Sequence, residues 1–297
     1  MDTNIAKTKP AREPSSGFFG KRPTLGTVVG KVVLYAALLV LAAGMLLPFV
    51  WMLSSSLKLS KDVFTFPMQW VPEVPRWENF SDIWNRIPLG RFIYNTAKLS
   101  VIVTLLQLFT SSFAAYAFAK LRFPGRDTLF LAYIATIAIP WQAYMVPQFI
   151  LMARMGLNNT HLAIICLQAF SAFGVFLMRQ FYRGIPDELC EAARVDGLSE
   201  YGIWLRIMLP NAKPAIATLT IFTFVTTWND FLGPMIYLTD VRLKTIQIGL
   251  RMFLTQYSAE YGLIMAASVV SLIPVLVIFL SLQKYFIQGV ASSGIKG

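Results

Sequence analysis

At 297 residues the chain could hold one or two soluble domains, but 56% of its residues are hydrophobic and 14% charged, against about 25% charged in a typical soluble domain. Long uncharged runs exclude a soluble globular protein and point to an all-α membrane protein. The formal net charge of +11 does not indicate a nucleic-acid partner, because Lys and Arg cluster at the ends of the apolar runs, where they orient a membrane protein.

Residues 1–27 are basic and rich in Pro, Ser and Gly, which predicts a cytosolic tail without regular structure. The first apolar run covers about 28–53 and continues through "MLLPFVWML". That is too long for the apolar part of a signal peptide and long enough, at about 20 residues, to cross a bilayer. Five further runs near 92–118, 129–153, 162–181, 214–238 and 263–286 each approach the ~30 Å of hydrocarbon at 1.5 Å per residue. Six transmembrane helices are therefore predicted within one membrane region, 28–290, followed by a short tail, 291–297. Pro48, Pro140, Pro147 and Pro274 lie inside the runs and predict kinks, whose freed carbonyls neighbouring helices or water would satisfy.

The distribution of Lys and Arg puts both termini in the cytosol. The clearest indication is the short second loop, with Lys120, Arg122 and Arg126 against Asp127. Residues 58–91 then form an external loop carrying Trp70, Trp77 and Trp84, tryptophans suited to the headgroup level. Cys166 falls in a span and Cys190 in a polar segment, so neither suits a disulfide or a metal site. The lone His161, at the mouth of a span, reads as an interfacial polar residue.

Between the fourth and fifth runs lies "ELCEAARVDGLSEYGIWLRIMLP". Pro186, Asp187 and Glu188 suit the start of a helix. Gly197 can take the left-handed conformation that ends it, Ser199 can cap a second helix, and Pro210 is expected to stop that one. The second helix carries an apolar stripe of Tyr201, Trp204, Leu205, Met208 and Leu209, while the first presents Glu188, Glu191 and, at its end, Asp196. A helix–elbow–helix over 186–210, cytosolic by the charge rule, predicts a socketed contact with another protein. A DNA-reading helix-turn-helix would need basic phosphate contacts, which the acidic first helix opposes.

The spacing E-A-A, three residues, G, nine residues, I-x-L-P is met by Glu191, Ala192, Ala193, Gly197, Ile207, Leu209 and Pro210. It resembles the EAA signature of the permease subunits of binding-protein-dependent ABC importers. Residues 114–127 ("AAYAFAKLRFPGRD"), 222–240 ("FTFVTTWNDFLGPMIYLTD") and the closing "YFIQGVASSGIKG" resemble the carbohydrate-importing branch, of the MalG type. The resemblance implies that 186–210 inserts into a cleft of a cytosolic ATPase subunit, with Ala192 and Ala193 permitting close packing, Gly197 turning the chain and Glu191 and Asp196 touching the ATPase. It implies a heterodimer with a second permease, two ATPase subunits that bind ATP and Mg, and an external solute-binding protein. All would be set in the lipid of a bacterial or archaeal cell membrane.

Polar residues within spans cost about 2.5–3.5 kcal/mol on insertion scales and so invite a functional role. Asp230 beside Asn229 and Trp228 offers carboxylate, amide and aromatic ring, the groups that bind the hydroxyls and ring face of a sugar. Trp141-Gln142, next to Pro140, offers a similar pairing. Asp230 could equally make a structural bond to a neighbouring span. Thr104, Gln107, Ser111 and Ser112 are expected to serve helix packing. With no G-x-x-x-x-G-K-[ST] loop, nucleophile–base set or metal cluster in the sequence, the chain reads as a transport subunit without an ATPase site or cofactor of its own. Two alternatives stand beside a sugar importer. One is an importer of a phosphorylated polyol, which would want cations where the spans hold only Lys98. The other is an ion-driven secondary carrier, which would show internal repeats, and none is visible.

Overall fold

The computed structural model describes residues 25–254 and 259–294. The described residues up to Val50 form one compact unit and those from Trp51 onward another. The first unit is most of α1 (Leu25–Ser56), and its apolar side chains from Val28 to Val50 are exposed all round, as expected where lipid rather than a protein core is the solvent.

In the second unit α2 (Asn79–Arg86) leads into α3 (Leu89–Lys120), α4 (Arg126–Ala135), α5 (Met145–Arg154), α6 (His161–Gln168) and α7 (Ala172–Arg183). Then come α8 (Asp187–Val195), α9 (Glu200–Ile203), α10 (Leu209–Asn211), α11 (Lys213–Trp228), α12 (Leu232–Tyr237), α13 (Ile246–Arg251) and α14 (Tyr261–Gly294). The described residues are all-helical apart from turns and loops, with only an isolated bridge between Leu254 and Ala259.

Among the described residues three helices are long and apolar enough to cross a membrane: Val28–Ser56, Leu89–Lys120 and Tyr261–Tyr285. The α6–α7 pair, bent by 40°, makes a fourth if counted as one span. The other two predicted runs are not single helices. Within 129–153 the helix gives out before Pro140, where Ile139 is extended (φ −87°, ψ 111°), because a proline ring disfavours helical backbone in the residue before it. Within 214–238, α11 ends at Trp228 and α12 begins at Leu232.

Helix α3 is the centre of the second unit. It packs against α7 and α11, and α11 in turn packs on α14. The contact with α7 is close because small residues meet there: a Cβ on Gly174 would collide with the hydroxyl of buried Ser111. Small residues of this kind let helix backbones approach in lipid, where no hydrophobic force draws helices together. Arg179 of α7 donates to the Phe118 carbonyl at 3.1 Å, pairs with Asp127 at 2.9 Å and lies over the Phe130 ring at 3.8 Å. His161 is buried and bonds the Leu243 carbonyl at 2.8 Å. Cys166 and Cys190 are free thiols. Trp70, Trp77 and Trp84 are exposed.

Candidate functional site

The α6–α7 and α11–α12 breaks meet α3 at one cavity of about 470 Å³. At the α6–α7 break the carbonyls of Gln168 and Ala169 have lost their helical partners, and α3 replaces them. Gln107 Nε2 donates to the Gln168 carbonyl at 2.7 Å and Thr110 Oγ1 to the Ala169 carbonyl at 2.8 Å. Ser171 then caps α7 by accepting from the Gly174 N–H at 3.0 Å. At the α11–α12 break Asp230 accepts from the Gly233 N–H at 3.1 Å and, with its other oxygen, from Gln168 Nε2 at 2.8 Å. Thr223 donates to Gln107 Oε1 at 2.9 Å and Thr227 to Gln168 Oε1 at 3.3 Å. One continuous polar network thus holds both breaks.

Aromatic rings complete the lining. Trp141 Nε1 donates to Gln148 Oε1 at 2.8 Å, and the Tyr237 hydroxyl donates to the same oxygen at 3.4 Å. Phe173 and Phe222 pack with ring centroids 5.5 Å apart. Among the described residues, Asp230 is the sole charged one in the lining. Rings, amides and one carboxylate suit a hydroxyl-bearing solute, since the rings cover its apolar faces and the polar groups exchange hydrogen bonds with its hydroxyls.

Of the predicted pathway residues, Trp141 and Asp230 line this cavity, while Gln142, Trp228 and Asn229 do not. Gln142 is exposed. Trp228 is 1% exposed, packs 5.6 Å from Phe224 and donates to the Ser271 carbonyl of α14 at 3.1 Å. Asn229 is exposed and exchanges hydrogen bonds with the Val225 carbonyl and with Gln247. Trp228→Phe is accordingly expected to cost about 1 kcal/mol of stability, read as a lower melting temperature in detergent, with the apparent affinity for transported solute unchanged. Gln148 and Gln168 were not singled out from the sequence, although an amide inside an apolar run is the same signal that flags Asp230. Gln107, expected to serve packing, both packs and lines the cavity.

At the other end of α3 lies the polar segment. Pro186 precedes α8, Gly197 follows it with φ +83°, and Ser199 accepts from the Gly202 N–H at 3.3 Å. Pro210 does not stop the second helix. The chain stays helical from Glu200 through a π turn at Trp204–Met208 into α10. Widening the turn removes the clash between the proline ring and the carbonyl four residues back, and Asn211 Nδ2 takes up the Ile207 carbonyl at 2.7 Å.

Ala193, Trp204 and Met208 are buried in a cluster with Cys190 and Ile203, and Ile207 and Leu209 pack against it. Glu188, Glu191, Ala192, Asp196, Gly197 and Pro210 are exposed, together with Tyr201 and Leu205. The predicted apolar stripe therefore divides, half into the core and half outward. Arg194 bonds Glu200 at 2.7 Å and holds its carboxyl below the usual range, and Lys120 does the same for Asp187.

The family described as the inner membrane component of binding-protein-dependent transport systems matches residues 107–292, a stretch that holds both the cavity and the polar segment. The arabinooligosaccharide transport permease AraQ of Halalkalibacterium halodurans is 38% identical over 203 residues, covering 68% of this chain and 73% of that protein. The lactose transport permease LacG of Rhizobium radiobacter is 30% identical over 270 residues, covering 91% and 98%. A crystal structure of a bacterial ABC transporter involved in import of the acidic polysaccharide alginate contains a chain of the same fold, with a TM-score of 0.78 at 24% identity over 90% of this chain. By the matched family and these likenesses, the chain belongs to the inner-membrane permease components of binding-protein-dependent transport systems.

Proposed function

We propose that the chain is the permease subunit of an ATP-driven importer of neutral sugars or oligosaccharides, and that the cavity is its share of the translocation pathway. The observation that carries this is the cavity lining: aromatic rings and amides around a lone carboxylate, beside the α6–α7 and α11–α12 breaks. Substrate sites formed by discontinuous helices near the bilayer midplane are a general device of transporters. The relatives named for arabinooligosaccharides and lactose support the same substrate class. A phosphorylated polyol would place its phosphate near Asp230 with no cation in the lining, an unfavourable pairing at low dielectric.

In this proposal the chain crosses the cell membrane six times with both termini cytosolic. The runs 129–153, 162–181 and 214–238 count as broken spans. A second permease completes the pathway, and two ATPase subunits bind ATP and Mg. The segment 186–210 docks on one ATPase through Glu188, Glu191, Ala192, Asp196 and Gly197, while Ala193, Ile207, Leu209 and Pro210 seat it beneath the membrane. The external binding protein delivers the sugar, and closure of the ATPases drives the switch of access.

Two measurements test this. Mild-detergent purification of the tagged chain from its native membrane is expected to retain an ATPase and a second permease; recovery of the chain alone, transporting without ATP, would overturn the proposal. In the assembled complex, Thr226→Trp, on a cavity-lining residue, is expected to block uptake while the subunits still co-purify. Undiminished uptake would remove the cavity from the pathway.

A further inference from the structure

The polar segment is joined covalently to α7 and α11, yet its firmest polar attachments are to neither. On α3, Phe109, Phe113, Tyr116 and Lys120 follow one another at intervals of four, three and four residues, and so form a single stripe down the helix. Each of them grips the segment 185–204. Trp204 meets the edges of Phe109 and Phe113 at 5.7 and 5.5 Å, and Tyr201 stacks on Phe113 at 5.8 Å. The Tyr116 hydroxyl bonds Glu200. Lys120 Nζ donates to the Ile185 carbonyl at 2.6 Å and pairs with Asp187.

Two details separate this from ordinary packing. The Lys120 side chain is 3% exposed, and a buried ammonium is tolerated only where it is paired. Glu200 binds Tyr116 on α3 and Arg194 on α8 at once, so the angle between α8 and α9 is tied to α3. The same α3 carries Gln107 and Thr110, which hold the broken α6–α7 carbonyls at the cavity. From Gln107 to Lys120 is about 20 Å of helix at 1.5 Å per residue. No Gly or Pro interrupts it between residues 91 and 120.

We infer that α3 is the transmission strut of the transporter: Tyr116 and Lys120 are positioning residues that carry movement of the 186–210 segment to the cavity, where Gln107 and Thr110 deliver it. This rests on the coupling role proposed above. In the complete complex reconstituted into liposomes, sugar taken up per ATP hydrolysed is expected to fall about tenfold in Lys120→Met, the size set by loss of a hydrogen bond to a buried charge. Tyr116→Phe, which removes only a hydroxyl, is expected to lower the same ratio less. Lys120→Arg, which keeps the charge, is expected to recover most of it.

Glu191→Lys, on the outward face of α8, separates the two ideas. If that variant transports normally, the coupling role of the segment is wrong and the strut with it. If Glu191→Lys uncouples while Lys120→Met and Tyr116→Phe keep the wild-type ratio, the segment couples and the strut is overturned. Should Lys120→Met fail to reach the membrane, Tyr116→Phe decides: an unchanged ratio overturns the inference and a lowered one supports it.

Discussion

Gly197→Pro is expected to abolish uptake while the protein still reaches the membrane and its partners still hydrolyse ATP. Gly197 has φ +83°, and proline is locked near −65°. The glycine N–H also donates to the Arg194 carbonyl at 3.0 Å, a bond proline cannot make. The turn would have to be rebuilt, carrying α8 away from α9 and pulling at the Arg194–Glu200 pair that fixes their angle. Gly197→Ala provides a graded comparison. Nothing lies within 4 Å of a Cβ placed there, so the cost is backbone strain alone, roughly 1–2 kcal/mol, and partial uptake is expected. Uptake and ATP hydrolysis in the same vesicles, with membrane abundance by immunoblot, check both variants. Normal uptake by Gly197→Pro would remove the elbow from the mechanism.

The second large effect is expected at Gly174, where α7 lies against α3. A Cβ there collides with the Ser111 hydroxyl and comes within 3.2 Å of Leu219 Cδ1. Gly174→Leu is expected to remove the protein from the membrane, since the helices cannot separate without losing the α3–α7–α11 packing. Gly174→Ala is expected to cost about 1–3 kcal/mol, the range for overpacking a filled core. The Ser111 hydroxyl is buried without a hydrogen-bond partner, so Ser111→Ala sacrifices no bond. Combined with Gly174→Ala it is expected to restore part of the loss, because the hydroxyl clash is gone while Cβ contact at 3.0 Å remains. Thermal denaturation of the two single variants and the double variant measures that coupling. Strict additivity would mean the two positions do not meet.

The long helices are legible in the sequence because Val28–Ser56, Leu89–Lys120 and Tyr261–Tyr285 are apolar runs whose interior prolines, Pro48 and Pro274, the helix absorbs. The α6–α7 and α11–α12 breaks are not legible, because the apolar run continues across each of them, whereas Pro140 marks the break within 129–153. What ends α6 is a set of hydrogen bonds from Gln107 and Thr110, some 60 residues away in sequence. Helix punctuation in the polar segment is local chemistry, so Gly197 and Ser199 stand where expected. Pro210 departs because a π turn in the preceding residues makes room for its ring. Of the Trp228-Asn229-Asp230 triplet the fold brings one member to the cavity. Neighbours at a helix end point in different directions, and only the carboxylate faces the cavity.

The carbonyls of Gln168 and Ala169 also bear on how the chain is made. In hydrocarbon an unpaired carbonyl costs several kcal/mol, so residues 161–183 can keep this break in lipid only with the α3 donors beside them. Their donors belong to α3, which leaves the ribosome first and is waiting in the membrane when α6 and α7 arrive. Synthesis from the N-terminus thus presents each broken segment to a partner already in place. A rearranged gene that encoded α6 and α7 ahead of α3 is expected to leave this break without its donors until α3 follows.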